Sequence, residues 1–406
     1  RDRSPSRGLG DVYKRQTQAD TAVVVGTVSD YLTAKGDAKL YNINLPAGVY
    51  LQAQLTTPAN ADLDYDLYLL DAEGNILTGS DYYTYINGTA GTLPEALGYI
   101  TSGDTATYYL YVLASEGGSV SESFTLDYSV STACDSYEID ESVRQALAFT
   151  YGAGGAYIES RNLSSPIDND WYVITVPSSR IYDKLKISAT TASTNTCSVE
   201  VYQNVASEGY QMKRVGSGNT ISVSSGKYYI RVSNAKTMEN FDDLDIQNYK
   251  LSITPILKAT GIVITDLKGS EGLNKVVNYP GYGAHFRTQG SGTLTVYGVL
   301  TATDSSTGVT YAVGGEQING LYYSPAWEAN NTSANAIRRG TGTTDSSGKF
   351  EIDISLPPGI GVYSYYGSTS THYFDICGVS VSPSDDSSIS ASETIFHLAY
   401  TMYHPF

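Results

Sequence analysis

Short stretches in which apolar and polar residues alternate run through almost the whole chain of 406 residues. Examples are DYDLYLLD (64–71), TYYLYVLAS (107–115), KYYIRVS (227–233) and KFEIDISLP (349–357). Because successive side chains of a strand point to opposite faces, this period of two is typical of strands with one buried face. Clusters of Gly, Asn, Asp and Ser separate the stretches, and ESVRQALAF (141–149) is the nearest approach to a helical pattern. The sequence therefore predicts an all-β chain built from antiparallel β-sandwich domains.

The sequence also contains an internal repeat. GDAKLYNINLPAG (36–48) and IDNDWYVITVPSS (167–179) share an Asp, a Tyr four residues later and a Pro five residues after that. Two later tyrosine-rich stretches, TYYLYVLAS and KYYIRVSNA, match each other as well, and each is followed by a further alternating stretch. Internal similarity of this kind indicates duplicated structural units. We therefore expect one β-sandwich at residues 17–132 and a second at 133–256.

The second copy carries motifs that resemble a known family. CDSYEIDESVRQALAF (134–149) contains an acidic D-x-Y-E pattern, and it leads to DNDWYVITVP (168–177), a G-x-Y-Y-I strand and a closing Y-x-L-x-I strand. This order of motifs resembles the bacterial pre-peptidase C-terminal domain, and DLDYDLYLLDAEGN (62–75) in the first copy resembles it too. The resemblance implies a jelly-roll-like antiparallel sandwich that is non-catalytic and belongs to exported bacterial proteins, often beside secreted peptidases.

The last third of the chain differs from both copies. GTGTTDSSGKFEIDISLPPG (340–359) puts a T-D-x-x-G-x-F turn before an alternating strand, and Gly348 can supply the positive φ that such a turn needs. The pattern resembles the immunoglobulin-like and transthyretin-like modules of bacterial surface proteins, so we expect an immunoglobulin-like sandwich at 257–382. The C-terminal tail at 383–406 ends in ETIFHLAYTMYHPF, which could form one more strand.

The first sixteen residues, RDRSPSRGLGDVYKRQ, do not fit the rest of this acidic chain, because basic side chains dominate them. A basic arm that binds a polyanion is one interpretation. The string more closely resembles a translated sequencing adapter. We therefore predict that residues 1–16 are artificial and disordered, and that an export signal has been lost with the natural start.

Charge and missing motifs exclude several functions. Asp plus Glu outnumber Lys plus Arg by 42 to 25, giving a net charge of −17, which repels the phosphates of nucleic acids and suits an extracellular or cell-surface protein. No apolar stretch approaches the roughly 20 residues of a membrane-spanning helix. HExxH, GxSxG and P-loop motifs are absent, and none of the four histidines has a recognisable catalytic context. We expect this fragment not to be an enzyme.

The first copy contains a candidate calcium site. Asp62, Asp64 and Asp66 occupy every second position, so on a strand they share one face while the intervening Leu and Tyr residues share the other. Carboxylates stacked about 7 Å apart repel one another, so either water screens them or a cation bridges them. Ca²⁺ takes about six to eight oxygen ligands, and neighbouring loops would have to add carbonyl groups. A calcium site and a solvated acidic face both remain open.

Asp168 and Asp170 of the second copy have the same spacing, but the first copy has Asp37 and Lys39 at the corresponding positions. The Lys39 substitution favours a structural turn, in which an Asp side chain accepts backbone N–H groups where a strand begins, over shared acid–base chemistry. Ca²⁺ bound by the two aspartates of the second copy remains an alternative. The acidic loop at 239–248 could complete such a site.

Aromatic residues cluster in three stretches that we expect to be loops: SDYYTYING, GLYYSPAW and GVYSYYGSTSTHYF. Exposed aromatic rings can bind sugars or peptides by stacking and hydrogen bonding. The candidate ligand-binding residues are Tyr82, Tyr83, Tyr322, Tyr323 and Trp327. The alternative is that these rings belong to strand interiors.

Three functions are compatible with these observations. The first is a non-catalytic secreted or cell-surface bacterial protein that binds or adheres to extracellular protein or glycan, or that spaces out other binding modules. The second is the C-terminal accessory region of an exported peptidase whose catalytic domain lies upstream. The third is a structural surface-layer or filament subunit. Ca²⁺ is the one cofactor that the sequence suggests.

Overall fold

A computed structural model describes most of the chain. The described residues are 26–60, 62–81, 83–86, 89–90, 93–131, 135–191, 197–205, 211–217, 219–234, 247–269, 274–279, 283–289, 292–329, 336–366 and 370–404. The chain divides into two compact units, the first comprising Arg1–Ser178 and Asp183–Ile256 and the second Ser179–Tyr182 and Leu257–Phe406. The predictions for residues 1–16 and for the three aspartates of the acidic loop at 239–248, which are Asp242, Asp243 and Asp245, fall outside the described residues.

The prediction of an all-β chain is confirmed, since strands make up nearly all of the regular structure. In the described part of the chain, no helix has the length and apolar character needed to traverse a bilayer. Two β-sandwiches form the first unit and a third forms the second unit.

The first sandwich packs one four-stranded sheet on another. One sheet contains, in spatial order, Gly26–Asp30 (β1), Phe124–Ser131 (β10), Tyr50–Thr56 (β3) and Glu95–Ile100 (β8). The other contains Ala38–Leu45 (β2), Ala106–Glu116 (β9), Asp64–Leu70 (β4) and Ile76–Ser80 (β5). The core between them is lined by the residues that the alternating pattern turns inward, such as Leu51, Leu55 and Leu67, which are fully buried.

The second sandwich repeats this arrangement. One sheet contains Ala156–Leu163 (β12), Gln247–Leu257 (β19), Tyr182–Thr191 (β14) and Thr220–Ser222 (β17). The other contains Leu147–Ala148 (β11), Asn169–Val176 (β13), Gly226–Asn234 (β18), Cys197–Asn204 (β15), Gln211–Ser217 (β16), Tyr83–Ile86 (β6) and Thr89–Ala90 (β7). Strand β6, from the first half of the chain, joins β16 in parallel.

Strand order and register agree between the two copies. Strands β1, β10, β3 and β8 correspond to β12, β19, β14 and β17, and β2, β9, β4 and β5 correspond to β13, β18, β15 and β16. Tyr41 pairs with Leu110, just as Tyr172 pairs with Ile230, the residue equivalent to Leu110 in the sequence repeat. The internal repeat therefore corresponds to a repeated fold.

The second unit is a sandwich of its own. One sheet contains Gly261–Gly269 (β20), Gly292–Thr303 (β23), Thr310–Ala312 (β24) and, also paired with β23, Lys349–Leu356 (β27). The other contains Asn274–Tyr279 (β21), Gly283–Gln289 (β22), Ala391–Tyr403 (β30), Ser370–Pro383 (β29), Gln317–Tyr323 (β25), Ile337–Thr343 (β26) and Tyr363–Tyr366 (β28). A short helix, Pro325–Ala329 (α1), follows β25. The tail thus supplies the strand β30 to this sandwich.

The turn predicted at Gly348 adopts a φ of 74°, and a Cβ added there would lie 2.5 Å from the carbonyl oxygen of Leu300. Gly308 has a similar φ of 72°, but a Cβ there would meet no atom within 4 Å. We expect Gly308→Ala to cost about 1 kcal/mol of folding free energy from its backbone conformation alone. Gly348→Ala should cost roughly 2–4 kcal/mol because the steric clash adds to the same backbone term. Urea unfolding of the two variants measures the difference, and equal costs would contradict this explanation.

Candidate functional site

The second sandwich encloses a group of acidic side chains at one end of its interior. Asp168 and Asp170 come from the start of β13, and the others come from the acidic segment 135–141 that precedes the first strands of this sandwich. Asp140, Glu141, Asp168 and Asp170 are each no more than 1% exposed. Within the described residues, one group of three side chains could hold a metal ion: Glu138, Asp168 and Asp170 each place a carboxylate oxygen within 4.8 Å of the others.

Alternation along β13 explains why Asp170 points inward. Tyr172, Ile174 and Val176 are buried on the face that packs against the other sheet, and Asp170 shares this face. Trp171 lies on the opposite face and packs against Tyr202, with ring centroids 5.4 Å apart. The same periodicity that builds the core therefore carries a carboxylate into it.

Arg161 of β12 provides the positive charge of the site. Its side chain is fully buried, and its guanidinium contacts Asp135, Asp140 and Asp170, with Nη1 2.7 Å from Asp135 Oδ1 and Nη2 3.4 Å from Asp170 Oδ2. Its Nε donates a hydrogen bond of 2.7 Å to the hydroxyl of Tyr172. Arg161 is thus a buried link between the two facing sheets.

The carboxylates outnumber this single cation. Six carboxyl groups make up the site: Asp135, Asp140 and Asp170 contact Arg161, and Glu138, Glu141 and Asp168 interact electrostatically with neighbouring carboxylates of the group. Burial, together with the charge of Asp168, raises the pKa of Glu138 to about 7. Burial also raises the pKa of Asp140, Glu141 and Asp170 well above the usual range, with Asp170 adding to the effect on Asp140 and Asp168 adding to the effect on the other two. Without a further positive charge, the folded chain can keep these groups buried only by binding protons.

Four oxygens of this group have no hydrogen-bond partner in the described part of the chain. They are Glu138 Oε1, Asp140 Oδ1, Asp168 Oδ1 and Asp170 Oδ1. A buried carboxylate oxygen without a partner is costly, so it indicates a missing proton or cation. An all-oxygen, anionic donor set is the type that Ca²⁺ prefers, and Glu138, Asp168 and Asp170 are the residues that would hold it.

The predicted turn is present in both copies. The backbone N–H of Ser164 donates to Asp168 Oδ2, and the backbone N–H of Thr33 donates to Asp37 Oδ2 over 3.0 Å, in each case from four residues upstream. In Asp168 one oxygen serves this turn, and the other has no hydrogen-bond partner among the described residues. The turn and the calcium alternatives therefore do not exclude each other.

The residue two positions after the repeated Asp, which is Lys39 in the first copy and Asp170 in the second, forms an ion pair whose signs are exchanged between the copies. In the first copy, Lys39 Nζ lies 2.9 Å from Asp30 Oδ2, and the Tyr41 hydroxyl donates to the same Asp30 oxygen. In the second copy, Asp170 takes the place of Lys39, and Arg161 takes the place of Asp30 beside Tyr172. Both copies thus keep one charge pair and one tyrosine at this position while the signs are exchanged.

The structure distributes Asp62, Asp64 and Asp66 differently from the sequence expectation. Asp62 is exposed and precedes β4, whereas Asp64 and Asp66 are 8% and 4% exposed, so the alternative of a solvated face is wrong for these two. Asp66 accepts hydrogen bonds from the hydroxyl groups of Tyr68 and Ser115, and each donor–acceptor distance is 3.3 Å. Both carboxylates are therefore removed from water, which the alternation of the sequence alone does not reveal. Calcium at these residues stays a prediction.

Three of the aromatic candidates, Tyr322, Tyr323 and Trp327, lie in a strand or a helix rather than in loops. Tyr322 is fully buried in β25, where its hydroxyl lies 2.8 Å from His397 Nδ1 and 3.1 Å from Cys377 Sγ, so it cannot serve as a surface platform. Tyr323 is half-buried and donates to Glu328, and the half-buried Trp327 of α1 donates to the Pro358 carbonyl oxygen over 2.9 Å.

The side chains of the other two candidates, Tyr82 and Tyr83, are not among those that the structure describes. Tyr82 lies outside the described residues, and Tyr83 begins β6, where only the backbone is described. Among the described residues of the second unit, the most exposed aromatic rings are instead on β28 and β30. They are Tyr363, Tyr366, Tyr400 and Tyr403.

Sequence reasoning missed Glu138, Asp140, Glu141 and Arg161 as members of the site. The acidic D-x-Y-E pattern at 135–138 was the available signal, since it places carboxylates directly before the second sandwich. Nothing in the residues around Arg161 distinguishes it from a surface arginine.

Comparison with known proteins leaves the family open. No protein-family model matches the chain. The chain is 36% identical over 74 residues to the uncharacterized protein YlqB of Bacillus subtilis (strain 168), a match that covers 18% of this chain and 46% of that protein. The chain thus spans about half the length of this curated relative. The resemblance to the pre-peptidase C-terminal domain stays a prediction.

Two solved structures show a distant likeness. The CUB1-EGF-CUB2 domains of rat MASP-1 are 11% identical with a TM-score of 0.17, over 58% of this chain and 98% of that chain. The N-terminal CBM22-1-CBM22-2 tandem domain of Paenibacillus barcinonensis Xyn10C is 11% identical with a TM-score of 0.18, over 59% of this chain and 94% of that chain. Likeness at this level identifies no function.

Proposed function

We propose that this chain is a non-catalytic extracellular protein whose β-sandwich modules bind or space out other molecules, and that Ca²⁺ stabilises the second sandwich. Glu138, Asp168 and Asp170 would hold the ion. The observation that carries the proposal is the buried acidic group with four partnerless oxygens around one arginine. Bound Ca²⁺ would neutralise the carboxylates that otherwise need protons.

The burial of these side chains supports a structural rather than a catalytic role. Asp168 and Asp170 are fully buried, and a general acid or base must come within hydrogen-bond reach of its substrate. Calcium sites of extracellular modules commonly have dissociation constants of about 10⁻⁴–10⁻³ M, and we expect an affinity in this range for the second sandwich. The exposed tyrosines of β28 and β30 supply rings of the kind that contact protein or glycan ligands. Failure to bind on glycan and peptide arrays would contradict the binding part of the proposal.

Calcium titration of the full chain tests the central claim. At a Ca²⁺ concentration about 100 times the dissociation constant, we expect the unfolding temperature of the second sandwich to rise by about 10 °C, because the ion binds only the folded form. Isothermal titration calorimetry should detect Ca²⁺ binding by the second sandwich and weaker binding of Mg²⁺, which demands stricter octahedral geometry.

Matched substitutions locate the site. Asp168→Asn and Asp170→Asn should each abolish calcium binding by the second sandwich, whereas Asp104→Asn should leave it unchanged because Asp104 is exposed and outside both groups of candidate ligands. A wild-type chain with no calcium-dependent shift, or a site that survives both substitutions in the second sandwich, would refute the calcium assignment.

A further inference from the structure

One face of β3 in the first sandwich is turned toward the acidic segment of the second. Leu51, Ala53 and Leu55 point into the core of the first sandwich, so Tyr50 and Gln52 point the other way. Both are nevertheless only 1% exposed, because the acidic segment covers them. The two sandwiches of the first unit therefore meet in a polar contact.

Tyr50 and Gln52 present hydrogen-bond donors to two carboxylates there. The Tyr50 hydroxyl lies 2.7 Å from Glu138 Oε2 and 2.6 Å from Glu141 Oε1. Gln52 Nε2 donates to Glu141 Oε1 over 2.7 Å, and this bond fixes the orientation of the amide. Hydrogen bonds to charged groups are about twice as strong as those between neutral groups.

Gly98 in the neighbouring strand β8 permits this close approach. A Cβ added to Gly98 would lie 2.7 Å from both Glu141 Cγ and the Tyr50 hydroxyl. Glu141 also accepts a hydrogen bond of 3.0 Å, through Oε2, from the backbone N–H of Asn169. Asn169 lies between Asp168 and Asp170 in the sequence. A continuous chain of contacts thus leads from β3 to Asn169, the residue between two of the three cation ligands.

We propose that Tyr50 and Gln52 are positioning residues for the cation site, so that the first sandwich sets the calcium affinity of the second. This inference rests on the proposed function. Neither residue belongs to the group that would hold the ion; they act by fixing Glu138, which does, and Glu141, which abuts it. Because coupling between sites is reciprocal, Ca²⁺ must in turn strengthen the contact between the two sandwiches.

Calorimetry on single variants tests the first direction. Tyr50→Phe and Gln52→Leu keep the shape of the side chains and remove the donors, and each should weaken Ca²⁺ binding about tenfold. Tyr128→Phe is the matched control: Tyr128 lies in the same sheet, and its buried hydroxyl has no hydrogen-bond partner in the described part of the chain. The control variant should bind Ca²⁺ like the wild type.

Hydrogen exchange on the wild-type chain tests the reverse direction and does not depend on variants that fold. Added Ca²⁺ should slow amide exchange in β3 and β8 of the first sandwich as well as in β13. Normal wild-type calcium binding, combined with unchanged affinity in both variants and unchanged exchange in β3 and β8, would overturn this inference alone. A wild-type chain that does not bind Ca²⁺ would overturn the proposed function and this inference together.

Discussion

Arg161→Met should lower the free energy of unfolding of the second sandwich by about 3–5 kcal/mol. The substitution keeps most of the side-chain volume but removes the guanidinium that contacts Asp135, Asp140 and Asp170, and removing one partner of a buried ion pair leaves the other charges uncompensated. It also removes the donor to the Tyr172 hydroxyl, which lies 2.6 Å from the hydroxyl of Tyr249 in the facing sheet.

Urea unfolding measures this loss, because urea does not screen charges as guanidinium chloride does. Trp171 is buried in the second sandwich, so its fluorescence reports on that sandwich once the other tryptophan is removed by Trp327→Phe. Lys39→Met is the control, with unfolding of the first sandwich followed by circular dichroism because that sandwich contains no tryptophan: it breaks the equivalent pair, in which the Lys39 side chain is 36% exposed, and should cost less than about 1 kcal/mol. Equal losses of unfolding free energy in the two variants would show that the buried ion pairs of Arg161 contribute no more than the more exposed pair of Lys39.

In the presence of a chelator, the second sandwich should become less stable as the pH rises from about 4.5 to 8. The pKa of Glu138 is raised to about 7 by burial and by Asp168, and burial raises the pKa values of Asp140, Glu141 and Asp170 well above their usual range. The folded form therefore binds more protons than the unfolded form in this range. The stabilisation is complete below the ordinary carboxyl pKa and is lost as the pH passes through the raised values.

The expected loss is on the order of 3 kcal/mol for Glu138 alone. Circular dichroism melts at several pH values measure it, and Ca²⁺ should flatten the dependence because the ion replaces the protons. Glu138→Gln, which cannot titrate, should show a smaller decline than the wild type. A chelated chain whose second sandwich gains stability with rising pH would contradict the raised pKa values.

The fold class and the duplication could be predicted because both depend on local sequence. Alternation gives strands, and the shared Asp, Tyr and Pro spacing places Tyr41 and Tyr172 at equivalent register positions. The turn at Asp168 could also be predicted, since its hydrogen bond comes from only four residues upstream. Each of these features is set by neighbours along the chain.

The candidate site could be predicted only in part, because it joins distant segments. Asp168 and Asp170 were identified, but their association with Glu138 and Arg161 depends on how β12, β13 and the acidic segment pack. Tyr322 shows a related limit. It is fully buried, whereas the next residue of the strand, Tyr323, is only half-buried, because neighbouring side chains of a strand point to opposite faces. An aromatic stretch between Gly and Pro does not reveal which of its residues points inward.

The reversed ion pair has a consequence for how a duplicated chain avoids misassembly. Two halves with the same strand order could exchange equivalent strands while folding, a recurrent failure of repeated domains. A hybrid that joined β2 to β12 would set Lys39 against Arg161, and one that joined β13 to β1 would set Asp170 against Asp30. Either hybrid would place like charges together at a partly or fully buried position. Because the signs of the ion pair are exchanged between the two copies, each strand is attracted to its own partner strand and repelled by the equivalent strand of the other copy.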